Sequence, residues 1–124
     1  MDQHRLFYPQ VLPAGTLAVE TSTLDELLRE LDVDSHSVDL VNIDVQGAEL
    51  AVLRGASAVL RHAKAVYVEV SFTELYKGCA QIDEVEDLLQ AAGFQRVALL
   101  SSWHQSRGDA CYVRRDAPSV APVA

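Results

Sequence analysis

Apolar and polar positions change period several times along the chain, and each change marks an element. Leu40, Val41, Ile43 and Val45 form a nearly continuous apolar run within Asp39–Leu50. Such a run suits a short strand covered on both faces, as in a parallel sheet. Gly47 then allows a sharp turn, and Glu49 falls in the first turn of the next helix, where the macrodipole favours an anion. Upstream, Leu17 to Thr21 reads as a strand, and Leu24, Leu27, Leu28 and Leu31 recur at helical spacing. Thr23, with Glu26 three residues on, reads as a capping box. Downstream, Val52, Leu53, Ala56, Val59 and Leu60 predict one helix over residues 48–61, with Gly55 placed for close packing on the sheet. Val66, Val68 and Val70 alternate with Tyr67 and Glu69, which predicts a third strand over 65–70. Val85, Leu88 and Leu89 predict a helix over 82–92, acidic at its start and closed by Gly93. Strands over 95–100 and 110–114 follow, joined by a polar loop through Trp103 and Gly108 and therefore antiparallel.

The order is strand-helix-strand-helix-strand-helix-strand-strand. Alternation of this kind predicts an α/β fold with a mostly parallel sheet, a final antiparallel strand and helices on both faces. Pro9 and Pro13 set residues 1–16 apart as a leader loop; residues 17–115 form one domain, and the Pro/Ala/Ser-rich residues 116–124 are expected to be a disordered tail.

Composition removes several function classes. The formal net charge is −8 and no Lys/Arg cluster occurs, so neither nucleic acid nor an anionic membrane is the expected partner. No apolar run approaches the ~20 residues of a membrane span, and no signal peptide opens the chain, so a cytoplasmic location is expected. Cys79 and Cys111 sit in unrelated contexts and read as free thiols. The histidines lack metal-ligand spacing, and no metal site is expected.

Asp44 is the first candidate for chemistry. It ends the central strand, and open α/β sheets bind ligands beyond the carboxyl ends of their strands. The plainer role for Asp44 is to cap the next helix. Glu69 lies late in its strand, on the face away from the valines, where it lines the same crevice or pairs with a cation. Glu49 reads first as a helix-dipole residue. Tyr76 and Trp103 read as loop-packing residues or the edge of a pocket. Arg107-Gly108-Asp109 spells an adhesion tripeptide but reads better as the turn entering the last strand.

Several blocks together resemble the FkbM-type methyltransferase family. They are Thr23-Leu24-Asp25, Asn42-Ile43-Asp44-Val45-Gln46-Gly47-Ala48-Glu49, Val52-Leu53-Arg54-Gly55, Glu69-Val70, Glu74-Leu75-Tyr76-Lys77-Gly78, Ala92-Gly93-Phe94, Gly108-Asp109-Ala110 and Tyr112-Val113. The resemblance implies a Rossmann-like sheet, S-adenosylmethionine as cofactor, and a small-molecule or sugar methyl acceptor, mostly at oxygen. It implies that Asp44 faces the sulfonium and the acceptor, with Glu69, Asn42, Gln46, Gly47 and Glu49 in the vicinity. The family often carries Lys at the position of Asn42 and Glu at that of Gln46; both changes remove charge. The blocks run from Leu17 to Arg114, and no Gly-rich turn follows an early strand. The chain therefore reads as the C-terminal half of such a domain, and cofactor binding by the chain alone is not expected. Two other classes compete with an enzyme. One is a non-catalytic remnant or assembly module of the same fold. The other is a receiver-like phospho-acceptor domain, which needs an early acidic pair and a strand-ending Lys that this sequence does not place. The central strand would also lie at an open edge, which predicts a homodimer through Leu17 to Val45.

Overall fold

The computed structural model describes residues 10, 12–73, 78–101 and 106–116. In chain order these give α1 (Leu24–Glu30), a 3-10 turn (Ser35–Ser37), β1 (Leu40–Ile43), α2 (Glu49–Arg54), α3 (Ser57–Leu60), β2 (Ala65–Ser71), α4 (Ile82–Ala91), β3 (Phe94–Ser101) and β4 (Arg107–Arg114). The leader up to residue 9, Glu74, Tyr76, Trp103 and the tail from residue 117 lie outside the described residues.

The strands form one sheet in the order β1-β2-β4-β3. β1 and β2 are parallel, whereas β2 with β4 and β3 with β4 are antiparallel. The expected mostly parallel sheet is thus corrected to a mixed, mostly antiparallel one with flanking helices. Two physical causes account for the difference. The β3–β4 hairpin inserts its second strand beside β2, so β1, β2 and β3 point the same way yet only one pair is adjacent. Residues 17–21 form no strand, and Leu17 and Val19 are 83% and 69% exposed.

The core lies on one face of this sheet. Val41 and Ile43 of β1, Val66, Val68 and Val70 of β2, and Ala110 and Tyr112 of β4 are buried. Leu50 and Leu53 of α2, Val59 and Leu60 of α3, and Val85 and Leu89 of α4 close over them in the same cluster. Burying a side chain of this size is worth about 1.5–3 kcal/mol. The alternate residues Tyr67, Glu69, Asp109 and Cys111 point to the opposite face and are only half-buried. The expectation of helices on both faces is corrected accordingly: among the described residues, the helices share the valine face.

The predicted helix over 48–61 is two helices. Gly55 ends α2, and α3 starts two residues later. Asp25 of α1 accepts from the backbone N–H of Ala58 and Val59, so a side chain distant in sequence meets the first donors of α3. Gly55 packs against Thr23 rather than the sheet; a Cβ there would come within 2.9 Å of the Thr23 Cβ. At the far end Arg114 donates to the carbonyls of Leu60 and Ala63 and lies over the Phe94 ring, tying β4 to the end of α3. Arg107-Gly108-Asp109 is strand rather than turn. Gly108 sits where a Cβ would meet the Leu100 carbonyl oxygen at 2.6 Å, so the close β3–β4 approach needs glycine.

Candidate functional site

β1 ends at Ile43, and the chain turns at once into α2. Gln46 and Gly47 both take positive φ, 55° and 106°, a conformation costly for most residues and free for glycine. The Gln46 side chain offsets part of that cost by donating to Asp44 Oδ1 at 2.7 Å. Glu49, the first residue of α2, is only 4% exposed. Its Oε1 accepts from the backbone N–H of Val45 at 3.3 Å and of Gly47 at 3.1 Å. Glu49 therefore closes the β1–α2 turn from inside. Asp44 does not cap α2: Ala48 holds the cap position with no side-chain hydrogen bond. The Asp44 side chain is left exposed beyond the strand end.

Glu69 reaches the same place from β2. One carboxylate oxygen from each of Asp44, Glu49 and Glu69 lies within 4.8 Å of the others. Arg107 of β4 pairs with Glu69, Nη1 to Oε1 at 3.2 Å. Burial pushes the Glu69 carboxyl above its ordinary value; Arg107 opposes that, and Asp44, Glu49 and Asp109 add to it. Asp109 lies directly across the ladder from Glu69; burial first, and then the Asp109 carboxylate, push the Tyr67 hydroxyl above its ordinary value. Asn42 is exposed on β1, two residues before Asp44. The structure thus brings Asp44, Glu49 and Glu69 together, with Gln46 and Gly47 shaping the turn between them.

Sequence reasoning did not single out Arg107, because it placed the residue in a turn. The β-period of Arg107, Asp109 and Cys111 against Gly108, Ala110 and Tyr112 was the available signal. The metal-free expectation rested on His and Cys spacing. The groups that converge here are carboxylates, a kind of cluster common without any bound ion, and Glu49 is already held by two backbone N–H groups.

The donor set fits some groups better than others. Exposed and half-buried carboxylates suit a hydroxyl donor or a positively charged sulfonium. A phosphate would need free backbone N–H groups, and those of Val45 and Gly47 are committed to Glu49. Two open clefts lie elsewhere. One of about 580 Å³ runs beside Asp25, Leu28, Asp32 and Ser35, and one of about 570 Å³ beside Thr23, Leu27, Ala48 and Val52. Neither is lined by Asp44, Glu49 or Glu69.

Comparison with known proteins narrows what this arrangement serves. The model of the methyltransferase FkbM domain matches residues 2–96. A curated relative, the 2-O-methyltransferase NoeI of Sinorhizobium fredii (strain NBRC 101917 / NGR234), is 37% identical over 95 residues, or 77% of this chain. The chain spans 37% of that relative's length. No solved structure matches. The match corrects the reading of the chain as a C-terminal half that begins at Leu17, because it starts at residue 2 and takes in most of the chain. Residues 2–16 carry Pro9, Pro13 and no regular period, so pattern reading found nothing there to compare. No described helix is long and apolar enough to cross a membrane.

Proposed function

The chain belongs to the methyltransferase FkbM family, and on that premise we propose that its β1 and β2 ends form the acceptor side of an O-methyltransferase site. The single supporting observation is the convergence of Asp44, Glu49 and Glu69 at the carboxyl ends of parallel neighbouring strands. S-adenosylmethionine, when bound, supplies an electrophilic methyl carbon. Asp44, exposed beyond the end of β1, would accept the proton of the acceptor hydroxyl. Glu69 orients the acceptor through a second hydrogen bond, and Glu49 fixes the turn that carries Asp44. Asn42 and Gln46 border the same space and act as neutral hydrogen-bonding groups. The acceptor class is a hydroxyl-bearing small molecule or sugar; the 2-O-methyltransferase name of the relative supports transfer to oxygen.

The test, in a form of the protein first shown to bind S-adenosylmethionine, is transfer from the methyl-labelled cofactor to a panel of polyhydroxyl acceptors, read by mass spectrometry of the product. A methyl ether in the product supports the proposal. Transfer to nitrogen or carbon, or none to any hydroxyl, contradicts it.

A further inference from the structure

Three carboxylates with oxygens within 4.8 Å of one another disfavour joint ionisation unless a cation faces them. Asp109 adds a fourth acid across the ladder from Glu69. Two of the acids already have neutral donors: Glu49 takes the N–H groups of Val45 and Gly47, and Asp44 takes the Gln46 amide. Glu69 meets a charge, the Arg107 guanidinium. In register Arg107 faces Ser71, not Glu69. It therefore reaches along the sheet face to its diagonal neighbour, a contact long side chains can make. Both side chains are largely shielded, at 22% and 18% exposure, so salt screens the pair weakly.

We propose that Arg107 is the positioning residue of this site: its guanidinium fixes Glu69 in the orientation from which it faces Asp44 and Glu49. The inference rests on the acceptor chemistry proposed above for what the pair positions. Arg107 keeps Glu69 paired, and Asp44, exposed at the strand end, is the carboxylate open to an acceptor. The groups that face Glu69 are then Arg107 and Asp109 from β4, Asp44 from the end of β1, and Glu49 from α2.

The experiment is a carbon-detected NMR titration of the Glu69 carboxyl in the full chain, for the wild type, Arg107→Gln and Arg107→Lys. Removing the opposing charge should raise the Glu69 midpoint by about one pH unit, tenfold in proton affinity, and lysine should restore most of that shift. An arginine with a merely structural role would lower thermal stability and leave the midpoint in place; that result overturns the proposal. Should Arg107→Gln not fold, the wild type decides alone. The Arg107 side-chain nitrogen resonances should move as Glu69 ionises, and resonances that stay flat across the Glu69 midpoint overturn the proposal. Neither readout involves methyl transfer, so a chain without turnover would count against the proposed function and not against this pair.

Discussion

Glu49 keeps a carboxylate in the protein interior because two backbone N–H groups donate to it. Glu49→Ala strips both donors of their acceptor, and the expected loss is about 1–3 kcal/mol in chemical denaturation. Asp44, five residues earlier, is exposed and should behave oppositely: Asp44→Asn should leave the unfolding midpoint nearly unchanged. Glu69 gives a pH signature. Its folded-state value is raised, chiefly by burial, so the stability it contributes is present below the ordinary carboxylate value and is lost as pH rises through the folded one. Glu69→Gln should therefore flatten the wild-type decline in melting temperature across that window; an unchanged pH profile would contradict the assignment. Asp44 and Glu69 were legible in sequence because strand ends and strand alternation are local patterns. The turn-closing role of Glu49 was not, since it depends on the positive φ of Gln46 and Gly47 aiming two N–H groups inward.

Helix α1 shows what a local signal can specify. Thr23 accepts from the Glu26 N–H at 3.1 Å, and Glu26 accepts in return from the Thr23 N–H at 3.2 Å, as the sequence spacing predicted. Hydrogen bonds from the Thr23 backbone and side chain lower the Glu26 carboxyl below its ordinary value. A lowered acid stabilises the fold above its unfolded value, and that contribution is lost as pH falls through the folded one. Thr23→Ala should cost about 1 kcal/mol at neutral pH, and less in acid where Glu26 is protonated. The break between α2 and α3 was not legible, because Asp25, which caps α3, sits more than thirty residues upstream. Asp25→Ala should cost about 0.5–2 kcal/mol in urea denaturation, and Gly55→Ala should also destabilise by forcing a Cβ against Thr23.

Over the whole molecule, the strands from Leu40 onward were readable from period, the strand expected over residues 17–21 did not form, and strand order was not readable. Nothing in the pattern of β3 and β4 says which of them lies beside β2, and that choice, with the loss of the strand expected over residues 17–21, turns a mostly parallel sheet into a mostly antiparallel one. Among the described residues β1 pairs on one side only, with Leu40 59% exposed. An apolar strand edge of this kind recruits further strands. The isolated chain should associate as its concentration rises, and Leu40→Lys should suppress that; a wild type that stays monomeric by light scattering from micromolar to millimolar concentration would refute it.

On the function proposed above, the strand-end carboxylates serve methyl transfer to oxygen, with Asp44 as the base. The most direct measurement is single-turnover methyl transfer, in a form of the protein first shown to bind S-adenosylmethionine, by the wild type and Asp44→Asn, each with its folded fraction verified by thermal melting. The account predicts a rate ~10²–10⁴-fold lower in the variant at an unchanged melting temperature. Undiminished transfer by folded Asp44→Asn would contradict it.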